Sequence, residues 1–192
     1  MRRDGYAWVG LSALLLTCAL AGWGVPPAPI DWQPALALGQ PWRAFSAVGV
    51  HYSGMHLLVN VGGVLLVAGF GWAARSPLPI ALAWAAAWPL TQFGLLLQPG
   101  LVHYGGLSGV LHAGAAAACL GLLSGGSRAQ RRVAGWVYAG LVLKVLSEAP
   151  WGPVLRPAPS LGIAVAPFAH ASGVVAGTLC GYLAGRRGLR SA

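Results

Sequence analysis

Apolar runs of about twenty residues alternate along this chain with short connections rich in proline, glycine or arginine. A helix that crosses a bilayer needs about 20 mostly apolar residues. Six segments have that character: Gly5–Trp23, Tyr52–Ala74, Leu78–Leu97, Leu107–Leu123, Val133–Ser147 and Val165–Ala184. The third contains Pro89, which a bundle tolerates because neighbouring groups satisfy the freed carbonyl. Between the runs lie turn formers: Pro26, Pro27 and Pro29; Ser76 and Pro77; Pro99 and Gly100; Gly125 and Gly126; and the stretch from Pro150 to Pro159. The pattern predicts an all-α membrane protein, a bundle of six transmembrane helices forming a single domain over residues 1–192.

Composition supports lipid as the solvent. Of 192 residues, 57% are hydrophobic and 8% charged, whereas soluble domains carry roughly a quarter charged residues. The net charge of +9 does not predict a nucleic-acid partner, because the basic residues form no common face. They sit between the apolar runs, as they do where charge fixes membrane topology. Arg2 and Arg3, Arg75, the trio Arg128, Arg131 and Arg132, and the trio Arg186, Arg187 and Arg190 flank alternate ends of the spans, while the other side holds Arg43 and Arg156. The expectation is a multi-pass protein with both termini cytoplasmic. Met1 to Gly24 also has the layout of a secretory signal, with Ala19-Leu20-Ala21 resembling a cleavage site. Its removal would leave five spans in the same topology. Cys18, Cys119 and Cys180 lie inside apolar runs and imply no disulfide framework.

Polar groups within a membrane are costly, so each needs a reason. His56 and Asn60 lie in the second span, Ser108 in the fourth and His170 in the sixth, and these three spans run from outside to cytoplasm. Counted from the next cytoplasmic arginine, Asn60 and His56 stand 15 and 19 residues before Arg75, Ser108 20 before Arg128, and His170 16 before Arg186. At about 1.5 Å per residue all four sit roughly 22 to 30 Å above the cytoplasmic face, in the outer part of the membrane. A serine hydroxyl becomes a nucleophile when a base takes its proton, and histidine is the usual base. The acidic residues are only Asp4, Asp31 and Glu148, and none is placed by the sequence beside His170, so a Ser–His dyad is expected. His56, Asn60 and the Ser108 backbone N–H supply donors for an oxyanion. Gly106 and Gly109 allow close approach to the hydroxyl, and Gly173, Gly177 and Gly181 form a stripe on which another helix packs.

These residues resemble the rhomboid family of intramembrane serine proteases. "WRAFSAVGVHYSGMHLLVN", Trp42 to Asn60, is similar to the family's first-loop Trp-Arg and its His-x4-His-x3-Asn signature. "GLSG", Gly106 to Gly109, is similar to its Gly-x-Ser-Gly motif, and "AHASGVVAG", Ala169 to Gly177, to its Ala-His-x2-Gly-x3-Gly motif. The resemblance covers about Trp42 to Gly185. It implies a rhomboid-like bundle with Ser108 as nucleophile, His170 as general base, His56 and Asn60 in the oxyanion hole and His51 supporting the site. The implied partners are the lipid bilayer and membrane-anchored proteins whose transmembrane segment enters near span five and is cut near the extracytoplasmic surface. Where many rhomboids carry a tyrosine that packs on the catalytic histidine, this chain has His112, expected to pack or hydrogen-bond in its place. Lys144 and Glu148 stand four apart on span five and can pair. The short chain, "GLSGVLH" and this pair are together similar to rhombosortases, a compact branch in the bacterial inner membrane associated with trimming glycine-rich C-terminal tails of exported proteins.

His103 and Tyr104 are expected near the entrance of the site, and Gln92 has no assigned role. Two rival classes follow from the same residues. One is an inactive relative that binds membrane clients without cutting them. The other is a small transporter or metal-handling protein using His51, His56, His103, His112 and His170, which the lack of a His-Glu-x2-His pattern and of nearby carboxylates disfavours. The reading requires neither metal nor cofactor, and leaves the oligomeric state open.

Overall fold

The computed structural model describes residues 5–190; Arg2, Arg3 and Asp4, which enter the topology reading, lie outside them. The protein is mostly helical, at 70%. Helix α1 spans Tyr6–Gly22, the one-turn α2 Arg43–Ser46, α3 Gly54–Ala73 and α4 Leu78–Gly94, which tightens into a 3-10 turn at Leu95–Leu97. After a loop come α5 at Ser108–Gly125, α6 at Arg128–Ser147 and α7 at Pro167–Arg190. Strands β1, Arg156–Ala158, and β2, Ile163–Val165, form an antiparallel pair between α6 and α7. Among the described residues three helices are long and apolar enough to cross a membrane: Gly54–Ala73, Leu78–Leu97 and Ser108–Gly125. Helix α1 is apolar but shorter.

Most boundaries follow from local chemistry. Ser53 caps α3, its hydroxyl oxygen accepting the His56 backbone N–H at 3.0 Å. Helix α6 starts five residues before the expected Val133, because Ser127 and Gln130 form a reciprocal capping box and arginines are good helix formers. The sixth span starts later than expected: Val165 belongs to β2, and α7 begins at Pro167. Pro157 keeps an α-helix from running through this stretch, a 3-10 turn at Pro159–Leu161 follows, and Gly162 completes the turn with a left-handed φ of 66°. The small hairpin is an addition to the expected all-helical pattern.

The centre of the bundle is the contact between α5 and α7. A Cβ on Gly173 would overlap the Gly109 carbonyl, one on Gly177 the Ala113 carbonyl, and one on Gly181 would lie 2.9 Å from Ala117 Cα. The glycine stripe thus lets two backbones touch, and dispersion between them replaces the water-driven burial that lipid cannot supply. Replacing Gly177 by leucine should destabilise the fold by about 3 kcal/mol or more, read as a large fall in the thermal unfolding midpoint in detergent. Gly140→Leu on α6 should leave the midpoint nearly unchanged, since nothing lies within 4 Å of its added Cβ.

Around this seam the core is fixed by indoles. Trp8 and Trp84 pack at 4.4 Å between ring centroids, and their N–H groups donate to the carbonyls of Val67 and Val110 at 2.9 and 2.8 Å. Ser172 on α7 donates to the Thr91 carbonyl on α4 at 2.8 Å. Outward faces carry exposed Leu58, Leu65, Leu66, Leu82, Trp136, Leu143 and Leu179, an apolar surface of the kind that lipid covers. The starts of α3, α5 and α7 converge on one cavity, lined by His56, Ser108 and His170. The ends of α3 and α5 meet the start of α6 at the opposite pole, around Arg75, Gly125 and Gln130.

Candidate active site

Ser108 is the first residue of α5. The loop before it is pinned by the Gly106 N–H, which donates to the Ala47 carbonyl at 2.9 Å, and by a backbone bridge between Trp32 and Tyr104. Gly106 has φ of +132°, and a Cβ there would stand 2.9 Å from His56 Nε2. Glycine is required twice over, by backbone conformation and by the imidazole against it. At Gly109 a Cβ would meet the Ala169 carbonyl of α7 at 2.8 Å, so this glycine brings α7, with His170 in its first turn, up to the serine.

The two groups meet. The Ser108 hydroxyl donates to His170 Nε2 at 2.9 Å. The other nitrogen of that ring, Nδ1, donates to Glu148 Oε2 at 2.7 Å. This corrects the sequence expectation of a dyad with no carboxylate in place: Glu148, the C-cap of α6, reaches His170 across the α6–α7 gap. Both of its oxygens face N–H donors, Oε1 the Lys144 ammonium and Oε2 the His170 ring, which leaves no place for a carboxyl proton. Glu148 is therefore ionised, an acceptor only, and that fixes the His170 proton on Nδ1 and leaves Nε2 as the acceptor facing Ser108.

The expected Lys144–Glu148 pair is present, with Nζ 2.8 Å from Oε1, but it is part of a larger network. Lys144 also donates to His112 Nε2 at 2.8 Å, and its nitrogen lies 3.1 Å from His170 Nδ1. His112 Nδ1 donates to the Ser108 backbone carbonyl at 2.7 Å. Both assignments follow from the partners, since a carbonyl only accepts and an ammonium only donates. The His112 ring stacks on that of His170, with centroids 4.3 Å apart and planes 14° apart. With both nitrogens occupied this way, His112 has no free lone pair to aim at the Ser108 hydroxyl. It packs and hydrogen-bonds, as expected from its position.

The remaining site candidates fall into two groups. His56 lines the cavity with Ser108 and His170. His51 lies one layer behind, its Nδ1 donating to the Gly49 carbonyl at 3.2 Å and its ring 4.9 Å from that of His56. Asn60, one turn further along α3, is 2% exposed with its amide nitrogen unpartnered among the described residues, and it is not part of the cavity wall. The cavity, of about 320 Å³, is closed on another side by Gly162 to Ala166, and it includes His103 and Tyr104. His103 is tied by Nδ1 to Asp31 Oδ2 at 2.7 Å, and Asp31 pairs with Arg43 at 3.2 Å. Tyr104 is 7% exposed and its hydroxyl has no geometric partner among the described residues. Gln92, fully buried in α4, likewise leaves both amide atoms unpartnered. Among the described residues no cluster of three or more His, Cys, Asp or Glu side chains is arranged to hold a metal ion.

A serine hydroxyl, an imidazole and a carboxylate in hydrogen-bonded series can activate the hydroxyl for attack on a carbonyl carbon. The first-turn N–H groups of α5, which have no partners within the helix, point their positive ends at the same place. No protein-family model, no curated protein and no solved structure matches the chain.

Proposed function

We propose that this protein is an intramembrane serine endopeptidase of rhomboid type, with six spans and both termini cytoplasmic, in the bacterial inner membrane. The observation that carries the reading is the 2.9 Å hydrogen bond from Ser108 to His170, joining the ends of two helices that glycines hold in contact. In the proposed reaction the Ser108 proton passes to His170 Nε2 as Oγ bonds to the scissile carbonyl carbon. The oxyanion is held by the Ser108 backbone N–H and by His56, whose Nε2 side faces Gly106. His170 then protonates the leaving amine as the C–N bond breaks, and water, deprotonated by the same imidazole, releases the acyl group from Ser108. Substrates are membrane-anchored proteins cut in a transmembrane segment near its outer end, with glycine-rich C-terminal tails of exported proteins as the favoured class. The sequence motifs support the family and subgroup; the geometry supports the roles of Ser108 and His170.

The test is labelling of the purified protein by a fluorophosphonate, together with cleavage of a reconstituted single-span substrate. Labelling at Ser108 that needs His170 is the expected result. A protein that binds the substrate but neither cuts it nor takes the label would be a client-binding relative instead. His112→Ala should keep labelling within about tenfold of wild type, the size of a lost contact rather than a lost base. Loss as deep as that of His170→Ala would make His112 part of the proton path.

A further inference from the structure

Helix α6 is the outlying helix of the site. Its buried side chains are Ala134 and Val145, and its contact with α7 is slight beside that between α5 and α7. Yet it carries both charged residues of the network. Lys144 occupies a central position there: one ammonium touches a carboxylate oxygen of Glu148, a nitrogen of His112 on α5 and the edge of His170 on α7. Each contact constrains something different. Holding Oε1 of Glu148 turns Oε2 toward His170 Nδ1. Donating to His112 Nε2 obliges His112 to keep its proton on Nδ1, where it binds the Ser108 carbonyl, and so keeps the ring neutral. A neutral ring lying face to face with His170 accommodates the imidazolium formed when Ser108 gives up its proton, whereas a second imidazolium there would repel it.

Resting on the serine-protease reading above, we propose that Lys144 is a positioning residue for the reaction: from the outlying helix it orients Glu148 and fixes the tautomer of His112, so that His170 is set for proton transfer only while the end of α6 is docked on α5 and α7. Ordinary pairing with Glu148 is a stabilising role that any lysine four residues ahead would fill. The simultaneous contact with His112 is what gives Lys144 a role in the chemistry.

The experiment uses a fluorophosphonate on the full-length protein in micelles, separating the saturating rate of labelling from the concentration at half-saturation. Lys144→Met should lower the saturating rate about tenfold, a modest share of what general acid–base positioning contributes, and leave half-saturation within about twofold. Lys144→Gln, whose polar head is better tolerated, carries the same expectation and decides the matter if the methionine variant does not fold. In a Glu148→Gln background, adding Lys144→Met should cost less than about threefold more, since residues in one network are not additive. In the His112 side chain, nitrogen NMR should show a protonated Nδ1 and an unprotonated Nε2 in the wild type and a mixture in the variant. Unchanged labelling in the lysine variants, or fully additive losses with Glu148→Gln, would overturn the proposal while wild-type labelling still upheld the protease reading. Absence of labelling in the wild type would remove both.

Discussion

Ser108→Ala and His170→Ala should each abolish fluorophosphonate labelling and reduce cleavage of a single-span substrate by about 10⁴-fold or more, because each removes an atom that forms or breaks a bond. Removal of the hydroxyl leaves nothing to be acylated. Removal of the imidazole leaves the hydroxyl in place without a proton acceptor, since His112 is committed to the Ser108 carbonyl and to Lys144. The double variant should be no worse than either single one, as expected of residues that act as a unit. Neither change should disturb folding much. The α5–α7 seam depends on Gly109, Gly173, Gly177 and Gly181, not on these two side chains. Labelling that survives in the Ser108 variant, or cleavage that persists at more than a hundredth of the wild-type rate, would remove the mechanism.

Much of this arrangement is written in the spacing of the chain. Three of the six apolar runs became α3, α4 and α5 nearly as predicted, because lipid-facing helices satisfy their own backbones and leave the apolar count as the dominant signal. Depth counted from the arginines brought Ser108 and His170 to one level, and the glycine stripe foretold that span six would press closely on another helix, without saying that the partner is α5. The β1–β2 hairpin was not legible. Three residues per strand give no period, and its existence rests on prolines and a left-handed glycine within a loop. Glu148 is a different case. It stands 16 residues after Arg132, the same count that separates His170 from Arg186, so the depth count, extended to span five, would have set it level with the base, a step the dyad expectation left out. The Lys144 spacing concealed it by offering a local partner first. What spacing does not give is rotation about the helix axis. Asn60 shares the depth of the site but not its wall; Glu148 also lies off the wall, but its side chain is turned onto His170 Nδ1.

Glu148→Gln should lower the saturating rate of labelling by about 10² to 10⁴-fold while leaving the fold intact, by analogy with the effect of neutralising the acid in other serine triads. The substitution keeps length and volume, so α6 still caps at residue 148 and the contact surface persists. Two things change. An amide can present its NH₂ to His170 Nδ1, which then accepts and forces the ring proton onto Nε2, where it blocks transfer from Ser108. If the amide oxygen faces the ring instead, the tautomer survives but the imidazolium formed in the reaction loses its counter-charge, and Lys144 is left 3.1 Å from the same nitrogen with no anion between them. Either way the loss falls on the chemical step, with half-saturation unchanged. Glu148→Asp should recover part of the rate, because the charge returns on a shorter arm that no longer closes the 2.7 Å contact. The lower end of the range is the more natural expectation for a side chain 28% exposed, since solvent and headgroups supply part of the missing charge. If Glu148→Gln labels within threefold of wild type, packing against His112 alone orients His170, and the site works as a Ser–His pair.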